Sequence, residues 1–102
     1  MKRQQLPIGT VVSIDGDEDV KLMIISQYPL TTRDGKEGYF DFGAVPIPTG
    51  LTGKELVFFN REDISRVHFI GYIDVSFQEF LSKSEEGMKD IPFERFTITK
   101  GE

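Results

Sequence analysis

Cysteine and tryptophan are both missing from the 102 residues, and histidine occurs once, as His68. Without cysteine the chain forms no disulfide, offers no thiolate nucleophile and builds no cysteine-based zinc site. One histidine leaves little for nucleophilic catalysis, which needs a base in reach of a nucleophile. Only Ser65 or a serine distant in sequence could partner His68, and beside Arg66 it reads as a surface or packed strand residue. No apolar run approaches a membrane span. Met1 to Gln5 runs into Pro7 and Gly9 without the apolar stretch of a signal peptide. A cytoplasmic protein is expected.

What is present is acidic and aromatic. Seventeen Asp and Glu against twelve Lys and Arg give a net charge of -5, which disfavours nucleic acid and anionic lipid as partners. Nine Phe and three Tyr supply apolar area for one modest core. They lack the interleaved basic residues of a nucleic-acid stacking platform, so core packing is the better account. Length implies one domain, residues 1–102.

Short runs rich in β-branched and aromatic residues, separated by Gly, Pro, Asp and Thr, predict antiparallel strands. The first covers Thr10 to Ile14, with Asp15 to Asp19 as its turn. The second covers Val20 to Gln27. Its Leu22-Met23-Ile24-Ile25 is apolar on both faces and predicts a central strand, ended by Pro29. Thr31 to Lys36 reads as a loop with Asp34-Gly35 as a hairpin turn signal. Gly38 to Val45 reads as one strand, with Phe40, Phe42 and Ala44 on one face and Tyr39, Asp41 and Val45 on the other. Leu56 to Phe59 and Ser65 to Ile70 are further strands, the latter with Val67 and Phe69 opposite Arg66 and His68. Between them Asn60 should cap a helical turn over Arg61 to Ile64. After Gly71 the period becomes helical. Ser76-Phe77-Gln78-Glu79 fits a capping box, Phe77, Phe80 and Leu81 form the apolar stripe that should anchor the helix to the sheet, and the helix should end near Gly87. Ile91 to Thr99 alternates weakly, as a late strand or a segment lying across the surface. The expected fold is α+β: a bent antiparallel sheet or small open β-barrel of about five strands with one C-terminal helix.

The motifs with chemical overtones mostly fail their own spacing rules. Asp15-Gly16-Asp17-Glu18-Asp19 suggests a calcium loop, but that loop needs Gly at its sixth position and Glu at its twelfth, where Val20 and Ser26 stand. Gly50-Leu51-Thr52-Gly53-Lys54-Glu55 lacks the glycine spacing and hydroxyl of a phosphate loop. No metal and no cofactor is expected. Asp41, between two phenylalanines, is the most interesting acid, though water or a nearby turn accounts for it. A deep pocket lined by Asp41, His68 or Tyr72 would favour an enzyme. The apolar loop Val45-Pro46-Ile47-Pro48 is either the candidate partner-binding surface, because loops sit outside, or a segment folded back over the barrel end.

Several segments together carry a resemblance. Leu6-Pro7-Ile8-Gly9 with its β-branched run, Lys21-Leu22-Met23-Ile24-Ile25, Tyr39-Phe40-Asp41-Phe42, Pro48-Thr49-Gly50-Leu51, Phe58-Phe59-Asn60-Arg61-Glu62-Asp63-Ile64 and Gly71-Tyr72 resemble a small family of Gram-positive bacteria, domain of unknown function 4176. The likeness covers about residues 6–86. It departs at the acidic turn Asp17 to Asp19 and does not reach the tail, 87–102. It implies a non-catalytic accessory protein encoded beside type VII secretion genes, a chaperone or targeting adaptor that binds the N-terminal targeting region of an LXG-type toxin. The alternatives are an immunity protein that neutralises a toxin domain, or an enzyme with an unfamiliar site. No catalytic residue carries over.

Overall fold

The computed structural model describes residues 5–53 and 56–98. Within them the fold is α+β, with a five-stranded antiparallel sheet ordered β6-β5-β2-β1-β7. Its strands are β1 (Val11–Ile14), β2 (Leu22–Gln27), β5 (Phe42–Pro46), β6 (Val57–Phe59) and β7 (Ile64–Phe69). The doubly apolar β2 is central, as its sequence predicts. Register shifts interrupt β2 against β5 and, twice, β1 against β7. Such bulges bend a sheet. The bend stops short of a closed barrel, and β6 and β7 remain as edges. Val12, Ile24, Phe42, Ala44 and Phe59 are fully buried at the centre of the core, with Ile14 and Leu22 beside them.

The span Gly38 to Val45 is not one strand. It splits into β4 (Lys36–Tyr39), in a second sheet, and β5 in the first. The break falls at Phe40-Asp41 because other groups take the backbone there. The Asp41 N–H donates to Asn60 Oδ1 at 2.7 Å, and its carbonyl accepts from the Tyr28 N–H at 3.0 Å. Phe40 therefore leaves the face of Phe42 and stacks with Phe58, ring centroids 5.6 Å apart, and against Phe96. The segment read as a loop after Pro29 contains a strand, β3 (Leu30–Arg33), which forms a hairpin with β4 through Asp34-Gly35. Both turn residues have positive φ, the geometry that matches the twist of a two-residue hairpin.

Asn60 caps a 3₁₀ turn, Arg61–Asp63, as predicted, with the Asp63 carboxylate accepting from the Asn60 N–H at 2.8 Å. The helix α1 (Val75–Gly87) ends where expected but starts two residues earlier: its cap is Asp74, not Ser76. Asp74 Oδ1 accepts from the Phe77 N–H at 2.9 Å. Phe77, Phe80 and Leu81 are the partly buried side chains on the inner face of the helix, yet no residue of α1 is fully buried. Phe80 meets Tyr28 with centroids 6.3 Å apart.

The chain then returns over the sheets as a strap. β8 (Glu94–Arg95) pairs in parallel with β4, and Phe96 is buried beside it. Gly38 makes room: a Cβ there would lie 2.5 Å from the Glu94 carbonyl and 2.6 Å from the Phe96 ring. Thr99, the end of the predicted segment, lies outside the described residues, as do Lys54 and Glu55 of the glycine loop.

Candidate functional site

The structure divides the loop that the sequence singles out. Val45 is 3% exposed and belongs to β5, so it is not available to a partner. Pro46, the last residue of β5, and Ile47 are half-buried, and the Ile47 N–H donates to the Lys21 carbonyl at 3.0 Å. Only Pro48, joined to Ile47 by a cis peptide, is exposed. With Asp19, Val20 and Lys21 the loop lines a wide, open depression of about 460 Å³. A β-strand side chain adjoining a loop follows the sheet's alternation, not the loop's exposure, and that is why Val45 is lost to the core.

The main exposed apolar surface lies elsewhere. β7 is paired on one side only, to β1. From its end the chain runs through 70–74 without regular structure into α1. Phe69 is 62% exposed, Tyr72 76% and Val75 69%, while Ile70, Ile73 and, across the chain, Ile8 are each about half exposed. Single exposed apolar residues are ordinary; a contiguous set marks an interaction surface. This ridge is also held in place. The Gly71 N–H donates to Thr10 Oγ1 at 3.0 Å, Thr10 is fully buried, and a Cβ on Gly71 would overlap the Ile8 carbonyl. The backbones of 8–10 and 71 are thus in contact, and the side chains around them are presented from a fixed frame. Periodicity could not find this surface, because Phe-Ile-Gly-Tyr-Ile reads as core. The Gly71-Tyr72 pair, where the strand pattern stops, is its only sequence signal.

Of Asp41, His68 and Tyr72, any of which could line a deep pocket, Asp41 lines an open cavity, and the three stand apart from one another. Asp41 adjoins β5 and His68 lies on β7, with β2 and β1 between those strands; Tyr72 points to solvent on the ridge. His68 does approach a serine: its Nε2 is 2.9 Å from Ser13 Oγ. Ser13 Oγ also lies 3.1 and 3.0 Å from the carbonyls of Glu18 and Val20. A carbonyl can only accept, so the hydroxyl proton is engaged there and the oxygen is free to accept from the imidazole. Ser13 is 1% exposed. The pair ties β7 to the β1–β2 turn and presents no nucleophile.

Asp41 sits at the junction of the two sheets. Arg95 grips it through Nη2 to Oδ2 at 2.7 Å and Nε to Oδ1 at 3.2 Å, and reaches Glu62 Oε1 at 2.7 Å. The Arg61 N–H also donates to Asp41 Oδ2, at 2.9 Å. The Asp41 carboxylate holds the Arg95 proton well above the usual arginine range. An open cavity of about 340 Å³ over this cluster is walled by Tyr28, Tyr39 and Met88. Burial pushes both tyrosine hydroxyls up. None of these three groups exchanges its proton near neutrality, where general acid–base catalysis works best. Among the described residues no group of three or more His, Asp or Glu is placed to hold a metal, and no helix is long and apolar enough to cross a membrane. Asn60, fully buried, completes the junction: its side chain accepts from the Asp41 N–H and donates to the Phe96 carbonyl at 2.6 Å.

A family model described as domain of unknown function (DUF4176) matches residues 5–80. The chain belongs to that family. The match takes in the whole five-stranded sheet, the ridge and the first part of α1, and stops short of the strap. No curated protein and no solved structure matches the chain.

Proposed function

We propose that this member of the family is a non-catalytic protein-binding accessory factor of the cytoplasm, and that it serves as a chaperone or targeting adaptor for an LXG-type toxin exported by type VII secretion. The observation that carries the protein-binding reading is the fixed apolar ridge from Phe69 to Val75. A monomer that leaves it bare loses the stabilisation of burying those side chains, about 25 cal/mol per Å² of apolar area, so a partner gains from covering it. The net charge of -5 argues against nucleic acid and anionic membranes as that partner. The toxin assignment rests on the resemblance set out above. The N-terminal, targeting half is the expected ligand.

Pull-downs after co-expression with the two toxin halves separately test this. Capture of the targeting half, weakened by Tyr72→Ala and indifferent to Ile47→Asp, is the expected result. Capture of the toxic half alone would make the protein an immunity factor. Capture of neither would remove the toxin assignment.

A further inference from the structure

We propose that the outer edge of β4 is a docking site for an extended peptide segment, and that the strap occupies it in cis until such a segment displaces it. The segment runs parallel to β4 and carries an arginine followed by an aromatic residue. The site lies on the three-stranded sheet, not on the sheet that holds β7, and the proposal does not rest on the ridge. The strap itself shows the chemistry. Glu94 and Arg95 pair with Gly38 and Tyr39, and the Phe96 N–H continues the ladder to the Tyr39 carbonyl at 2.7 Å. Without β8, β4 is a bare edge beside β3, and such an edge accepts a partner's strand. Two side chains add specificity. Arg95 enters an acidic clamp, forked on Asp41 and reaching Glu62; a planar guanidinium fits such a fork and a lysine ammonium does not. Phe96 closes over Gly38, edge-on to Phe40 with centroids 5.9 Å apart and against the Arg33 guanidinium.

Three observations mark the strap as an exchangeable occupant. Its pairing is short, with Glu94 and Arg95 alone in register, and Phe96 is its one buried side chain among the described residues. It also fills its place incompletely. Open cavities of about 340 and 240 Å³ lie against it, the first bordered by Arg95 and the second by Ile91, Pro92 and Phe93. Finally, the residues that receive the strap, Arg33, Gly38, Asp41, Asn60 and Glu62, all fall within the family match over 5–80, and the strap falls beyond it. The receiving surface is thus part of the matched domain, and its occupant is not.

A synthetic peptide of residues 91–98, added to the full chain, tests this. A segment tethered in cis competes at an effective concentration of about millimolar, so the native protein should take up the peptide weakly. Arg95→Ala weakens the cis occupant and leaves the acidic clamp open. It should raise the peptide's affinity about tenfold or more, with the amide resonances of Gly38 and Tyr39 shifting on binding. The gain should vanish when the peptide carries alanine in place of its arginine or of the phenylalanine that follows it. A strap with a purely structural role predicts no gain at all. Phe96→Ala vacates the other anchor and repeats the test if Arg95→Ala does not fold. If neither folds, the native chain titrated with peptide into the millimolar range decides, and unmoved Gly38 and Tyr39 resonances would overturn the proposal. So would equal affinity for the native and variant chains, or shifts confined to the ridge. A native dimer that Arg95→Ala dissolves would also overturn it, because the occupant would then be the strap of a second copy.

Discussion

The five-stranded sheet and the layer formed by α1 and the strap are built to different standards. In the sheet, Val12, Ile24, Phe42, Ala44 and Phe59 have no exposed surface at all. In α1 no residue is buried; Phe77, Phe80 and Leu81 are partly buried, and Phe80 packs on the ring of Tyr28 just beyond β2. The strap lies between these extremes. Its one buried side chain, Phe96, is held by stacking and hydrogen bonds, with Arg33 4.4 Å from its ring centroid and the Asn60 side chain on its carbonyl. The sheet therefore contributes more of the apolar burial that stabilises the fold than the outer layer does.

The comparison is broken most directly by truncating one phenylalanine in each region. Phe42→Ala or Phe59→Ala should cost about 3–5 kcal/mol, the range for a fully enclosed aromatic. Phe80→Ala should cost less, roughly 2–3 kcal/mol, since Phe80 is only partly buried and part of its transfer energy is never gained. Urea midpoints measure both. Equal losses would mean that α1 is as much a part of the core as β2.

The next effect joins the two regions. Asn60→Ala leaves the Asp41 N–H and the Phe96 carbonyl without their partner, and each buried group so orphaned costs about 1–3 kcal/mol. Stability should fall by that order. The strap should also become the first site cut in limited proteolysis, within 91–98, while the sheet stays intact. A variant cut first within the sheet would show that Asn60 supports β5 and β6 more than the strap.

How far the sequence revealed this division depends on which force decides each element. The sheet strands β1, β2, β6 and β7 and the cap at Asn60 follow from local alternation and turn chemistry, and they stand within one or two residues of the reading. The split of β4 from β5 does not. It is set by contacts of Asp41 with Tyr28 and Asn60, residues 13 and 19 positions away, and no window of alternation contains them. β3 was hidden because Leu-Thr-Thr-Arg is exposed and has no apolar face to detect. The helix stripe was visible, but its depth of burial was not, because periodicity gives a direction and says nothing of what lies opposite. The same blindness hid the ridge. Phe69 to Val75 has the composition of a core segment, and only the arrangement of neighbours leaves it bare. Val45 is the converse case, apolar beside a loop and buried by the sheet's alternation.

Amide hydrogen exchange should sharpen the contrast without any substitution. The opening free energy of a region tracks its buried apolar contacts. The amides of Ile24 and Ala44 should be protected to near the global limit. Those of α1 from Phe80 onward should exchange at least tenfold faster. Protection of α1 equal to that of β2 would show that the helix and sheet open as one unit.

The smallest effect should appear at high pH, and in the outer layer alone. Burial raises the pKa of Tyr28 above its ordinary value of 10.0, and this outweighs the side-chain hydrogen bond to Ser84, which lowers it. The folded protein thus favours the neutral phenol more than the unfolded chain does. That preference contributes its full stability below about pH 10. It is lost as pH rises from there through the raised folded value, because the unfolded tyrosine ionises first. Tyr39, raised by the same cause, adds to the decline. Tyr28 is the ring against which Phe80 packs, and its hydroxyl meets Ser84 on the same helix. Its ionisation should therefore loosen α1 before it touches the sheet. Exchange of α1 amides should accelerate above pH 10 beyond the intrinsic rise in exchange chemistry, while β2 amides follow that rise alone. Tyr28→Phe keeps the ring and removes the charge, so it should flatten the alkaline decline while giving up only the Ser84 hydrogen bond at neutral pH. If the decline is unchanged in Tyr28→Phe, the phenol is not what couples the helix to the sheet, and the attachment must rest on Phe77 and Leu81 instead.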